Sequence, residues 1–221
     1  MALPFCLKKG KNMHTKQGKF IAFEGIDGSG KSTQIELLTA RLRQAGIHYY
    51  TTMEPTDSPI GSLIRQILTG RIKTDYRVIA PLFAADRLDH LLNETDGVLK
   101  KIEEGTAVIM DRYYFSSYAY QGVDMSMEDV MQINAQSRAL LKPTATVFID
   151  IDPDVALERI ARNRAHKELF EKRSRLVRVR ENYFEAFRKT DEEETILIVD
   201  GNQSLEAVSE EIWRKIRNIF P

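Results

Sequence analysis

The run Phe20-Ile-Ala-Phe-Glu-Gly-Ile-Asp-Gly-Ser-Gly-Lys-Ser-Thr-Gln34 constrains the fold of this chain more than any other stretch. Gly25, Gly30, Lys31 and Ser32 fit G-x-x-x-x-G-K-[ST], the spacing of a phosphate-binding P-loop. The residue types follow from the chemistry. Around Gly25, Gly28, Ser29 and Gly30 the backbone N–H groups can curl about phosphate oxygens, and the positive end of the next helix adds to the field. Lys31 would reach the β- and γ-phosphates, the Ser32 hydroxyl would ligate Mg²⁺, and Thr33 follows in the first helical turn. The flanks agree with this. Phe20 to Phe23 is an apolar, strand-like entry, and Ile35, Leu37, Leu38 and Leu42 mark an amphipathic helical exit. The run implies a bound nucleoside triphosphate.

Four further β-rich runs, Tyr49–Met53, Ala107–Met110, Thr146–Ile149 and Ile196–Val199, alternate with longer helical patterns. Such alternation predicts an α/β fold with a mostly parallel sheet and helices on both faces. Ligands in such sheets bind beyond the carboxyl ends of the strands. Those ends carry Glu54-Pro55, Asp111-Arg112-Tyr113, Asp150 with Asp152 and Pro153, and Asp200-Gly-Asn-Gln203. Asp111 suits the strand-end acid that holds Mg²⁺, directly or through water, and Arg112 offers a planar fork for a second phosphate. Asp75 to Glu104 reads as one long helical pattern interrupted near Pro81. There Phe83 and Arg87, four apart, share a face. Two readings stay open for that face: an aromatic plane and a guanidinium for a base, or core packing with Leu82, Leu88, Leu91 and Leu92.

Charge balance bears on the arginine-rich segment from Arg159 to Arg180. Lys plus Arg equals Asp plus Glu, 32 of each, so no global field draws the chain to nucleic acid or membrane. Interleaved Glu158, Glu168, Glu171 and Glu181 suggest a salt-bridged helical pair; the other readings are a nucleic-acid stripe, for which regular aromatic interleaving is lacking, and a mobile flap carrying Arg159 and Arg162 over the phosphates. The single cysteine, Cys6, excludes an internal disulfide and fits a reducing compartment. No apolar run approaches the roughly 20 residues that span a bilayer. Residues 1–18 read as a disordered extension and 19–221 as one domain. A guanine-type switch lacks its Asn-Lys-x-Asp: the one similar tetrapeptide, Asn93-Glu-Thr-Asp96, falls in a helical pattern without the lysine.

From about Lys19 to Phe220 these motifs together resemble the thymidylate kinase family. The pieces are Phe23-Glu-Gly-Ile-Asp-Gly-Ser-Gly-Lys-Ser-Thr33, Glu54-Pro55, Leu82-Phe-Ala-Ala-Asp-Arg87, Asp111-Arg-Tyr113 with Ser116-Ser-Tyr-Ala-Tyr-Gln-Gly122, and Ile149-Asp-Ile-Asp-Pro153. The resemblance implies a three-layer P-loop kinase fold with a five-stranded parallel sheet, and transfer of the ATP γ-phosphate to dTMP. It implies Mg²⁺, a cytoplasmic homodimer, and neither nucleic acid nor membrane as partner. Phe83 is similar to the ring stacked on thymine, Arg87 to the donor to a thymine carbonyl, and Ser117 and Gln121 to positions around the rest of the base. Tyr120 resembles a residue on the sugar 2′ side. Arg112, with Arg65, resembles the dTMP phosphate ligands, while Asp27 and Glu54 match carboxylates of the acceptor site. Asn202 and Gln203 resemble the adenine-side loop. In one branch of the family an arginine follows the P-loop carboxylate; here that position is Gly28. The implied substitutes are Arg159, Arg162 and Arg164 of a short lid over about 159–172. The nearest rivals are a nucleotide or deoxynucleoside kinase of different acceptor preference and, further off, a P-loop switch that transfers nothing.

Overall fold

Each apolar run forms a strand, and where an acid follows without a proline the strand runs on to include it. The structure, a computed structural model, describes residues 17–161, 169–190 and 192–220. In chain order its elements begin with β1 (Phe20–Glu24), α1 (Lys31–Gln44), β2 (Tyr49–Met53), α2 (Pro59–Leu68), α3 (Tyr76–Leu92) and α4 (Val98–Glu103). There follow β3 (Ala107–Asp111), α5 (Tyr114–Gln121), α6 (Met127–Ile133), α7 (Ala135–Leu140), β4 (Ala145–Asp150) and α8 (Pro153–Ala161). The chain closes with α9 (Leu169–Thr190), β5 (Ile196–Asp200) and α10 (Leu205–Ile216), then a short 3₁₀ turn at Arg217–Ile219.

The five strands are all parallel, in the order β2-β3-β1-β4-β5. Their side chains alternate between two apolar cores, as period-2 geometry requires. Ile21, Phe23, Ile109, Val147 and Ile149 face α1 and α10. Phe20, Ala22, Val108, Met110 and Phe148 face the other way, toward α5 and α9. That second core is aromatic: Phe20 meets Tyr113 edge-on at 5.1 Å, and Phe148 packs on Tyr183 at 4.9 Å and Phe187 at 5.0 Å.

This wiring positions the site. β1 and β3 are neighbours, yet the helices leaving them, α1 and α5, cover opposite faces. A crevice opens between their carboxyl ends, where an α/β sheet binds its ligand. Register then brings the ends together: Phe23 lies opposite Asp111, and Asp111 opposite Met53.

Two expectations in the long helical pattern change. Pro81 lies inside α3 and does not break it. It is exposed, so water can take up the carbonyl that its missing N–H leaves free. The break falls instead at Asn93–Gly97. Asn93 Oδ1 accepts from the N–H of Thr95 at 2.9 Å, a local turn that competes with the helical ladder. The Asn93-Glu-Thr-Asp96 tetrapeptide therefore lies in a turn between α3 and α4, not in a helix. Of the leucines offered as core, Leu91 is buried, Leu82 and Leu88 are half-buried, and Leu92 is exposed. Among the described residues no helix is long and apolar enough to cross a membrane.

Candidate active site

The loop between β1 and α1 is shaped by close packing. Gly28 has φ +81°, and a Cβ there would stand 2.6 Å from the Ala156 carbonyl oxygen of α8. Only a residue without a side chain fits that approach. Lys31 is buried at 7% exposure, its Nζ donating to the carbonyls of Gly25 at 3.1 Å and Ile26 at 3.3 Å. Burial first, then the Arg112 charge, lowers its pKa from 10.5 to about 8. Ser29 is buried and its hydroxyl lacks a partner, whereas Ser32 and Thr33 are exposed at the start of α1.

Ser32 Oγ donates to Asp111 Oδ2 at 3.0 Å, joining the phosphate loop to the end of β3. Asp111 Oδ1 is buried and unpartnered. A hydroxyl and a carboxylate with an unspent oxygen are the hard donors that Mg²⁺ takes when phosphates and water complete its shell. Among the described residues no cluster of three or more His, Cys, Asp or Glu side chains could cage a metal. The residues present fit a cation shared with a phosphate ligand.

Beside Asp111, Arg112 holds the left-handed backbone conformation, φ 69°, uncommon for a residue with a side chain. Its N–H bonds to the Phe23 carbonyl at 2.9 Å. Its guanidinium donates from Nη1 to Ser116 Oγ at 3.0 Å and from Nη2 to Asp27 Oδ1 at 2.5 Å. It also lies over the Tyr120 ring, 4.8 Å from the centroid. The Tyr120 hydroxyl accepts the Asp27 N–H at 2.9 Å, so Asp27, Arg112 and Tyr120 form one cluster facing the phosphate loop. Gln121 follows on α5, its Oε1 buried without a partner.

The α3 face resolves into two parts. Arg87 is 1% exposed, with Nε donating to Glu54 Oε2 at 2.7 Å and Nη1 to Ser117 Oγ at 3.2 Å and to Asn134 Oδ1. Phe83, one turn earlier, is half-buried and belongs to neither core cluster. The ring is thus free of the core reading while the guanidinium is fully enclosed. Glu54 is anchored in turn: His90 Nδ1 lies 3.4 Å from its Oε1, and His90 Nε2 lies 2.8 Å from Thr52 Oγ1. Asp86, also buried, takes the Thr56 N–H at 2.8 Å and the Ser58 hydroxyl at 2.9 Å, fixing the loop after β2. Arg65 turns to that same loop, donating to the carbonyls of Pro55 at 3.2 Å and of Thr56, with Asp57 3.3 Å away.

On the opposite side, Arg159 of α8 donates from Nη2 to the Gly201 carbonyl at 3.0 Å, and its Nη1 lies 3.9 Å from where a Cβ on Gly30 would stand. It bridges the P-loop and the turn after β5. Asn202 in that turn accepts the Asp152 N–H at 3.0 Å, and Gln203 donates to Glu211 at 3.2 Å. Arg162 and Arg164 lie outside the described residues. Of the salt-bridged helical pair, the described residues show Arg173 of α9 joined to Asp154 of α8, while Arg175 pairs with Asp124 and Arg180 with Asp150; the side chains of Glu168 and Glu171 lie outside the described residues. These pairs tie α9 to other elements.

Sequence reasoning passed over Glu24, Tyr183, Asn134 and His90. Glu24 stood inside the quoted motif, a lone acid ending an apolar strand. Tyr183 lies on the α9 stripe of Leu176, Val179 and Ala186, indistinguishable from core by period. Asn134 and His90 gave no signal of their own.

A parallel sheet with a P-loop at its topological switch point, a Ser–Asp pair for a cation and a second cationic fork packed on that loop define a P-loop phosphotransferase. The family model described as thymidylate kinase matches residues 23–212. The chain is 37% identical over 206 residues to the thymidylate kinase of Symbiobacterium thermophilum, covering 91% of this chain and 94% of that one. It is 38% identical to the probable thymidylate kinase of Methanocaldococcus jannaschii, over 90% of this chain and 96% of that one. Against the thymidylate kinase of Ligilactobacillus salivarius it is 35% identical, over 92% and 100% of the two chains. The chain belongs to the thymidylate kinase family.

Proposed function

We propose that the protein transfers the γ-phosphoryl group of ATP to dTMP, giving dTDP and ADP. The observation that carries this reading is a second phosphate-directed cation beside the P-loop lysine. Lys31 Nζ and Arg112 Nη1 both donate to the Gly25 carbonyl, at 3.1 and 3.3 Å, and Arg112 is held in addition by Asp27 and Ser116. An NTP-binding switch has no use for the second.

In the reaction a dTMP phosphate oxygen bonds to the γ-phosphorus as the bond to the β–γ bridging oxygen breaks, and ADP leaves. The attacking phosphate is already anionic, so no strong base is needed. What remains is alignment and charge neutralisation in a loose transition state. Arg112 would hold the acceptor phosphate, and Lys31 would follow the transferred group. Ser32 and Asp111 would hold Mg²⁺, which when bound neutralises charge on the donor phosphates. Phe83 would stack on the base, with Arg87, Ser117 and Gln121 reading its edge, and Tyr120 beside the sugar. Glu54 acts through Arg87. Arg65, whose Nη1 donates to the carbonyls of Pro55 and Thr56, would be a second ligand of the acceptor phosphate. Arg159 serves the donor side with Arg162 and Arg164, and Asn202 and Gln203 lie by the adenine. The reading extends to one catalytic domain over 19–221 and a cytoplasmic homodimer, supported by the family resemblance; sedimentation tests the dimer.

An acceptor panel with ATP and Mg²⁺ tests the activity. dTMP is expected to be used best, CMP roughly a thousandfold less well, and thymidine not at all. Equal use of CMP, or phosphorylation of thymidine in place of dTMP, overturns the assignment.

A further inference from the structure

Glu24 is the last residue of the central strand and is completely buried. A carboxylate there must be justified by what it holds. Its two oxygens divide the task. Oε1 accepts the backbone N–H groups of Tyr113 at 2.8 Å and Ser116 at 3.2 Å, capping the start of α5 from another element. Oε2 accepts the Ser116 hydroxyl at 2.5 Å and the Tyr183 hydroxyl of α9 at 2.9 Å.

We propose that Glu24, acting through Ser116, is a positioning residue for the Arg112 guanidinium, with Tyr183 as a third support. The inference rests on the reading of Arg112 as the acceptor-phosphate ligand. A serine hydroxyl has one proton and two lone pairs. With its proton committed to Glu24 Oε2, Ser116 Oγ is left as an acceptor toward Arg112 Nη1 at 3.0 Å. Tyr183 Oη lies 2.9 Å from the same Ser116 Oγ, and with a glutamine amide N–H in place of Oε2 both could donate to that oxygen and compete with Arg112 for its lone pairs. Glu24 also steadies the backbone. The Tyr113 N–H it accepts lies just after Arg112, whose own N–H is held by Phe23, so β1 grips the left-handed residue on both sides. Burial pushes the Glu24 carboxyl up, opposed by the Ser116 hydrogen bond and then by the Arg112 charge.

A simple helix cap would account for Oε1 alone, and the two roles separate in a double-mutant cycle. Glu24→Gln, Arg112→Ala and the combination are compared by KM for dTMP, KM for ATP and kcat, with unfolding followed separately. Glu24→Gln is expected to raise the dTMP KM about tenfold and leave the ATP KM within about twofold. On the Arg112→Ala background the same change should add less than about twofold to the dTMP KM. A full tenfold increment on both backgrounds, or equal rises in both KM values, overturns the positioning role. If Glu24→Gln does not fold, Ser116→Ala in the same cycle carries the same two outcomes. If Arg112→Ala itself raises both KM values equally, the acceptor reading falls, while the non-additivity still reports on Glu24.

Discussion

Arg87 is held by three side chains, those of Glu54, Ser117 and Asn134, whereas along the phosphate loop Lys31 leans on two backbone carbonyls, one of them shared with Arg112, and Ser29 Oγ and Asp111 Oδ1 find no partner. The Arg87 network is closed by its own side chains, while the phosphate loop is shaped chiefly by backbone.

The largest test of that contrast is Lys31→Ala. Turnover should fall on the order of a thousandfold while thermal unfolding changes little, because the lysine works on the ligand more than on the fold. Near-normal turnover would take the P-loop out of the mechanism. The Arg87 network should fail the other way. Glu54→Ala leaves a buried guanidinium without its carboxylate and should cost about 3 kcal/mol or more in urea denaturation. A loss below about 1 kcal/mol would show the Arg87 network to be less rigid than its geometry.

The smallest effect is in pH. The Lys31 amine, lowered to about 8 chiefly by burial, must be charged to meet a triphosphate. ATP affinity should therefore hold below that pH and weaken roughly tenfold per pH unit above it, until the bound amine titrates. Stability should move oppositely. Between about 8 and the usual 10.5 the unfolded chain binds more protons than the folded one, so stability rises with pH. Calorimetric ATP titrations and melting curves over one pH series check both signs. A flat affinity curve would show that the lysine is not depressed.

Legibility in the sequence divides along the same line. The P-loop is contiguous, and its spacing states its chemistry, so Lys31, Ser32 and the flanking elements were readable. The strands were readable as short apolar runs ended by acids. Arg87 and Arg112 were found, with Glu54, Ser117 and Asp27 beside them, but not Asn134, Glu24 or Tyr183. Glu24 meets Tyr183 across 159 residues, and Arg87 meets Asn134 across 47, and no local period encodes such pairs. The long helical pattern misled for a physical reason. Pro81 on an exposed face costs little, while the Asn93 side chain offers the backbone a better local partner than the helix does.

The contact between Gly28 and α8 bears on how this protein can change. Any side chain at position 28 would begin inside the van der Waals radius of the Ala156 carbonyl. A side chain placed there would have to push back the backbone of α8 at Ala156 and the Ile160 side chain, so the shape of the loop and the seat of that helix are set together by the absence of one methyl group.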